Sequence, residues 1–189
     1  MILTQLTLFI NTLKTHNNYE KEQHLGSPSE DYRRSCHRSP DSIDHHSMHG
    51  SSRMMNDIRL SPHFTLAEFC NFGKYPANVP TIQQVASLMY GCQHLLEPAR
   101  EAIGCPIFIN SGFRNPRVNV LVGGVAGSQH LLGQAADIRP KDPHQFQRLV
   151  DFLKANAYTD QLLTGNGWLH ISWAPFGTPR HDVRLGYYK

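Results

Sequence analysis

The sequence predicts a small α+β domain with a mainly antiparallel sheet and two to three helices, preceded by a long polar extension. Helical apolar spacing early in the folded part and short β-branched runs after it support this fold class. The final runs also lie too close together for crossover helices, which favours antiparallel pairing. The 189 residues include 40% hydrophobic and 17% charged residues, as expected for a globular chain with its own core.

The polar extension is clearest over residues 16–53. Only six of these thirty-eight residues are hydrophobic, and they follow no period. A segment with so little apolar surface cannot offset the entropy lost when its backbone is ordered. We therefore expect residues 1–53 to be a disordered or non-native N-terminal extension, with the natural start at Met54 and a folded domain over residues 54–189.

Charge, apolar runs and cysteines exclude several classes of protein. The net charge of +3 is too small to indicate a nucleic-acid partner or an anionic membrane surface. No apolar run approaches the roughly 20 residues of a membrane span, and the chain's apolar start lacks a signal peptide's basic residues and cleavage site. We expect a monomer made in the cytoplasm. The cysteines form no C-x-x-C pair and are expected to be reduced: Cys36, Cys70, Cys92 and Cys105.

Two helices are predicted before the first strand. Thr65 and Glu68 have the spacing of a capping box, so a short helix is expected to begin at Thr65. Thr81 is predicted to cap the main core helix. Pro98 either bends that helix or lies in the first turn of a continuation that Gly104 ends. Apolar residues of the main helix share one face: Ile82, Val85, Leu88, Met89, Cys92, Leu95 and Leu96.

Four short apolar runs predict strands at residues 106–111, 136–140, 161–164 and 168–173. A Gly-Asn-Gly turn joins the last two as a hairpin. A further helix is predicted from Pro143 to about Asn156, with proline at its first position. The glycine-rich segment between the first two strands has too little periodicity for regular structure, and long loops inside domains are usually functional.

The candidate functional side chains are His130 and Asp137, near that loop, and His170 on the last strand. His130 and Asp137 are seven positions apart, so a straight strand would point them to opposite faces; Gly133 supplies the turn that avoids this. His170 alternates with apolar neighbours and is expected on the face away from the core. Two imidazoles and a carboxylate suit a zinc site with an open fourth position. The residues alone leave open that these are ordinary polar side chains.

Four motif pieces occur in order: SGFRNPRVN from Ser111, VGG from Val122, SQHLLGQAADI from Ser128 and WLHIS from Trp168. In this order they resemble the zinc D-Ala-D-Ala carboxypeptidase family, in particular its short forms from phages and bacteria. The resemblance spans about residues 61–184. It implies a hedgehog/DD-peptidase-like fold, with residues 54–189 as a zinc peptidase domain.

The resemblance also implies roles for individual residues. His130, Asp137 and His170 would bind one Zn²⁺ per chain. Arg114 would point into the site, where its planar guanidinium suits a carboxylate or a developing oxyanion; the alternative is a surface salt bridge. Ser128 would hydrogen-bond the substrate; the alternative is a loop-capping hydroxyl.

The implied activity is metal-assisted hydrolysis of peptide bonds in peptidoglycan stem peptides or cross-links, as a D-Ala-D-Ala carboxypeptidase or an endopeptidase. Such an enzyme acts on the cell wall, in the periplasm or on a host envelope, during wall remodelling or phage lysis. Its partners are peptidoglycan peptides.

One feature departs from the family's pattern. Many relatives carry a Glu, Asp or His shortly before the last ligand, to act as general base, but residues 164–169 read TGNGWL. Asp160 and His181 are the nearest titratable candidates, and Glu68 or His63 are candidates from the other end of the domain. This gap keeps a second interpretation open, a catalytically inactive zinc-containing module that binds the cell wall.

Overall fold

A computed structural model describes residues 58–187. The extension predicted for residues 1–53, the start predicted at Met54 and Cys36 lie outside the described residues. Within them, helices pack on a five-stranded sheet, and a core of aliphatic and aromatic side chains fills the space between. None of the described helices is long and apolar enough to cross a membrane. The predicted α+β class with a mainly antiparallel sheet is confirmed.

Strand order and pairing define the sheet. The strands are β1 (Ile107–Ser111), β2 (Ala135–Pro140), β3 (Thr159–Thr164), β4 (Leu169–Trp173) and β5 (Asp182–Arg184). Their order is β1-β2-β4-β3-β5, and only the β3–β5 pair is parallel. The α-helices are α1 (Leu66–Cys70), α2 (Ile82–Gly91), α3 (Glu97–Ile103), α4 (Pro116–Leu121) and α5 (Phe146–Ala155).

Both predicted helix starts in the first half are confirmed by reciprocal caps. The Thr65 backbone N–H donates to Glu68 Oε2 at 2.7 Å, and the Thr81 N–H donates to Gln84 Oε1 at 2.7 Å. These bonds satisfy backbone donors that a helix leaves unpaired at its N-terminus. Local capping chemistry therefore sets where α1 and α2 begin.

Pro98 continues the main helix. A π-helical turn, Cys92–Leu96, joins α2 to α3, and its flanking residues keep right-handed helical dihedrals. Pro98 has no N–H to offer the carbonyl of His94 four residues earlier, and that carbonyl instead accepts from the Asn156 side-chain amide at 3.3 Å. Gly104 ends α3 in the left-handed conformation, as predicted.

The absence of regular structure predicted for the glycine-rich loop is wrong, because this loop contains α4. Asn115 Oδ1 accepts from the Val118 N–H at 2.9 Å, and Pro116 occupies the first turn. This helix has six residues, too few to show an apolar period. With α4, and with α3 counted separately from α2, the described residues contain five α-helices rather than the two to three that were predicted. The strand β5, three residues long, was not predicted for the same reason.

Three cysteines of the described residues are free, and their reduced state stays a prediction. Cys70, Cys92 and Cys105 form no disulfide, and the first two are buried in the core. Burial raises the pKa of both buried thiols well above the ordinary value, which keeps them protonated and unreactive.

Candidate metal centre

The β2–β4 register places two candidate ligands side by side. Asp137 pairs directly with His170 across the antiparallel ladder. Residues directly opposite each other on antiparallel strands project to the same face of the sheet, so the carboxylate and the imidazole meet. The neighbouring pair, Ile138 and Leu169, projects to the opposite face and is fully buried in the core. The predicted placement of His170 away from its apolar neighbours therefore agrees with the structure.

His130 reaches the same face through a tight turn. It lies in a 3-10 turn, Gln129–Leu132, which Gly133 ends with a φ of 66°. A Cβ on this glycine would lie 2.6 Å from the carbonyl oxygen of Gln84, so both its backbone conformation and its close packing require glycine. The turn predicted at Gly133 lies where the sequence placed it.

Three ligand atoms converge at one point. His130 Nε2 lies 3.3 Å from Asp137 Oδ1 and 3.3 Å from His170 Nδ1, and His170 Nδ1 lies 2.9 Å from Asp137 Oδ1. Ligands held about 2.0–2.1 Å from a tetrahedral zinc ion are about 3.3 Å from one another. The spacing of the three atoms therefore fits a zinc ion with one open position.

The hydrogen bonding of His130 also suits a metal ligand. Its Nδ1 lies 2.6 Å from the Gly112 carbonyl oxygen, which only accepts hydrogen bonds, so Nδ1 carries the hydrogen. Nε2 is then the ring nitrogen that faces Asp137 Oδ1 and His170 Nδ1, where a metal ligand atom is needed. A Cβ on Gly112 would lie 2.6 Å from a ring carbon of Phe69, so glycine allows the close approach that places this carbonyl. A buried convergence of electron-pair donors is favourable when a cation lies between them.

Asp137 is held as a carboxylate. Burial alone would raise its pKa, but hydrogen bonds and charge interactions with His130 and His170 outweigh burial and hold the pKa well below its ordinary value. Its two oxygens have different partners: Oδ1 faces the histidines, and Oδ2 accepts from Arg114 Nη2 at 2.6 Å. This division presents one oxygen as a ligand atom and fixes the carboxylate's orientation.

Arg114 lies beside the three ligands. Its Nε donates to Ser111 Oγ at 2.9 Å, and its backbone N–H donates to the His130 carbonyl at 3.1 Å. The side chain is 15% exposed, so its ion pair with Asp137 is largely buried rather than a surface salt bridge. Ser111 was not singled out from the sequence, although its position three residues before Arg114 is visible there. The predicted role of Arg114 on substrate stays a prediction.

Ser128 lies at the start of the turn that carries His130. It is half-buried and occupies the N-cap position, but its hydroxyl makes no capping hydrogen bond. The hydroxyl therefore does not have the loop-capping role that was the alternative. Its predicted contact with substrate stays a prediction.

Asp160, a candidate general base, forms an ion pair with Arg180. It is buried, and its carboxylate accepts from Arg180 Nε, from Gln129 Nε2 at 3.0 Å and from Ser172 Oγ at 3.2 Å. Burial would raise its pKa, but hydrogen bonds from Arg180 and Gln129 lower it to about 2. A carboxylate with so low a pKa is a poor proton acceptor near neutral pH.

The other three candidate bases have no contact with the ligands in the described part of the chain. His63 Nδ1 pairs with Glu97 Oε2 at 2.8 Å, and Glu68 accepts from Thr65 at the start of α1. His181 is exposed, in a left-handed backbone conformation. The geometry therefore favours none of the four as a base acting at the ligands.

The Asp160–Arg180 pair leads to a stability prediction. Replacing Arg180 by alanine leaves a buried carboxylate without its cation, and we expect a loss of about 1–2 kcal/mol at pH 7, after discounting for the exposed guanidinium. Because the folded pKa of Asp160 is depressed, the pair's contribution is present above the unfolded value of 3.8 and disappears as the pH falls toward about 2. Urea unfolding of both proteins at pH 7 and near pH 2.5 measures this difference.

Arg184 provides the matched control for that prediction. Its side chain is 55% exposed, as is that of Arg180, but its partner Asp182 is 26% exposed against 4% for Asp160. We expect Arg184→Ala to change stability little at either pH. An Arg180→Ala protein as stable as wild type at pH 7, or a difference that persists unchanged near pH 2.5, would contradict the assignment.

Comparison with protein families agrees with this geometry. A family model described as Peptidase M15 matches residues 62–172. The chain belongs to the peptidase M15 family. The match covers more than half of the chain and includes Arg114, Ser128 and the three convergent side chains. No curated protein gives a match to the sequence.

Membership in peptidase M15 confirms the resemblance stated from the motifs. The family consists of zinc-dependent metallopeptidases, and this member contains a His130, Asp137 and His170 group able to hold a metal.

Proposed function

We propose that the protein is a zinc-dependent hydrolase of peptide bonds in peptidoglycan stem peptides or cross-links, as a D-Ala-D-Ala carboxypeptidase or an endopeptidase. The observation that carries the proposal is the convergence of His130 Nε2, Asp137 Oδ1 and His170 Nδ1 within zinc-binding distance of one point. Residues 54–189 form the peptidase domain in this proposal. The protein acts on the cell wall as a monomer, in wall remodelling or phage lysis.

The chain's own residues have separate tasks. His130, Asp137 and His170 would hold one Zn²⁺, which would supply Lewis acidity toward a carbonyl and would lower the pKa of a bound water from about 15.7 toward about 7. Arg114 fixes the carboxylate orientation of Asp137 through Nη2. Its remaining N–H groups bind a substrate carboxylate or the oxygen that gains negative charge during hydrolysis. Ser128, two positions before His130, donates to or accepts from the peptide.

One observation favours a second candidate function. None of the four candidate bases contacts the ligands in the described residues, and Asp160 is tied to Arg180. Without a residue to accept and return the proton, the domain would retain zinc and bind wall peptides without cutting them. The alternative is therefore a catalytically inactive zinc-containing module that binds the cell wall.

Digestion of purified peptidoglycan separates the two functions. We expect zinc-loaded protein to release D-Ala or muropeptides. A chelator should abolish the release, because without the metal the pKa of the attacking water is not lowered. Mass spectrometry of the fragments identifies the bond: free D-Ala indicates a carboxypeptidase, and separated stem peptides indicate an endopeptidase. If folded, zinc-loaded protein yields no chelator-sensitive product, the proposed enzymatic function is wrong. Its sedimentation with peptidoglycan would then favour the binding module.

A further inference from the structure

A pocket of about 200 Å³ adjoins Arg114. Its walls come from α1, the turn that follows it, the end of β1 and α4, and both Ser111 and Arg114 face it. Arg114 thus lies between this pocket and Asp137, to which it donates a hydrogen bond. The pocket and the three convergent side chains therefore have Arg114 as a common neighbour.

The pocket has one cation without a carboxylate beside it. Its lining includes Lys74 and Arg114 and contains no aspartate or glutamate, and because the Arg114 guanidinium is paired with Asp137, Lys74 supplies the uncompensated positive charge. The Lys74 ammonium lies over the ring of Tyr75, 5.3 Å from the ring centroid, which favours a defined position for this long side chain. Cations that line a concave site without compensating carboxylates attract an anionic group.

The walls of the pocket are held in place by the buried side chain of Asn78. Its Nδ2 donates to the carbonyls of Cys70 and Phe113, each at 2.8 Å, and its Oδ1 accepts from the Asn115 N–H at 2.8 Å. These bonds tie the segment after α1 to the segment that carries Arg114. The pocket is therefore formed before a ligand arrives, which reduces the entropy lost on binding.

The turn that carries Lys74 is ordered by its own backbone. Asn71 ends α1 in the left-handed conformation, and its carbonyl accepts from the N–H groups of Lys74 at 3.0 Å and Tyr75 at 2.9 Å. Lys74 is thus fixed at its backbone and only its side chain is free to adjust. A lysine with an ordered backbone beside a preformed pocket can bring its single positive charge to a ligand group of single negative charge.

We propose that this pocket, the Lys74 pocket, receives a carboxylate of the peptide substrate, with Lys74 as its counter-charge. The inference rests on the proposed function, because it takes the substrate to be a peptide bound at His130, Asp137 and His170. It deepens that function by adding a substrate class: peptides whose carboxylate near the scissile bond is free are preferred to those in which it is a carboxamide.

Matched peptides test the Lys74 pocket. Three synthetic stem-peptide pairs each differ by one carboxylate-to-carboxamide change, at the second residue, at the third residue or at the C-terminus. Binding to the zinc-loaded protein is measured at low temperature, with mass spectrometry confirming that the peptides stay intact, and kcat/KM is measured at the temperature of the activity assay. We expect the wild type to favour the carboxylate of one pair by about fivefold in both measurements, and the preference to weaken at high salt.

Variants assign that preference to Lys74. Lys74→Gln should reduce it to within about twofold, and Lys74→Arg should retain most of it, since the charge is kept. Lys154 is also exposed but does not line the pocket, so Lys154→Gln should keep the full preference. Because Lys74 is exposed, the glutamine variant is expected to fold, and circular dichroism checks this.

The outcomes separate this inference from the proposed function. Equal binding of both members of every pair by the wild type, or an undiminished preference in Lys74→Gln, overturns the Lys74 pocket. Preferential binding that Lys74→Gln removes, without any hydrolysis, supports the pocket and contradicts the enzyme. Hydrolysis without any preference supports the enzyme and overturns the pocket.

Discussion

Alanine at His130 is expected to abolish stoichiometric zinc binding and to lower peptidoglycan hydrolysis by at least about 1000-fold. The change removes one of three convergent ligand atoms and leaves Asp137 and His170 as the two that remain. Two protein ligands hold zinc far more weakly than three, so the ion is lost on dialysis. Metal analysis of the dialysed proteins, with wild type expected to retain one Zn²⁺ per chain, measures the effect independently of activity.

A second measurement uses thermal unfolding. A ligand that binds only the folded state raises the melting temperature, so zinc should stabilise the wild type and have little effect on His130→Ala. The substitution also removes the hydrogen bond to Gly112, which costs about 1–2 kcal/mol, so circular dichroism must show that the variant folds. His170→Ala is expected to behave in the same way.

His144 supplies the control for both histidine variants. It is exposed on the turn before α5 and lies outside the convergent group, so His144→Ala should retain one zinc and full activity. Retention of one tight zinc ion per chain by His130→Ala or His170→Ala would show that the ligands are misassigned.

The parts of the fold that the sequence predicted correctly depend on local signals. Thr65 and Thr81 begin helices because their side chains and their partners three residues later satisfy backbone groups within a single turn. The Gly133 turn and the β3–β4 hairpin likewise depend on residues close together in the chain. Such elements can be predicted from the sequence because the interactions that stabilise them join residues close together in the chain.

The metal centre could not be predicted from local signals alone. The alternation of His170 with apolar residues predicted the face of the sheet from which it projects, and Gly133 predicted the turn after His130. Neither signal predicts the β2–β4 register. Pairing of Asp137 with His170 follows from how the two whole strands align, which no residue beside either side chain determines alone. The motif resemblance supplied what periodicity alone did not.

The features that sequence reasoning missed arise from long-range contacts. Asp160 looked like a free carboxylate near the last ligand, yet Arg180, twenty positions later, holds it as a buried ion. The sequence around Asp160 contains no pattern that predicts its pairing with Arg180. Lys74 and Arg114 are forty positions apart and line one pocket only because Asn78 connects their segments. Tertiary contacts of this kind require the folded chain.

Lysine at Arg114 is expected to leave zinc in place and to lower turnover by about 100-fold, comparable to the loss of one donor to a developing oxyanion. Arg114 bonds Ser111 Oγ through Nε and Asp137 Oδ2 through Nη2 at the same time. A lysine ammonium is a single point of charge and cannot keep both bonds while also facing the substrate. Zinc content per chain, kcat and KM, measured at saturating zinc, test the expectation.

The division between kcat and KM identifies what Arg114 binds. A lower kcat with little change in KM indicates an interaction made mainly during the reaction, with the developing oxyanion, whereas a raised KM at unchanged kcat indicates binding of a ground-state carboxylate. Arg117 is exposed on α4, three residues away, so Arg117→Lys controls for the change of residue type and should match wild type. If Arg114→Lys retains both wild-type kcat and wild-type KM, Arg114 has no part in catalysis or substrate binding, and its contacts with Ser111 and Asp137 serve only to orient the carboxylate.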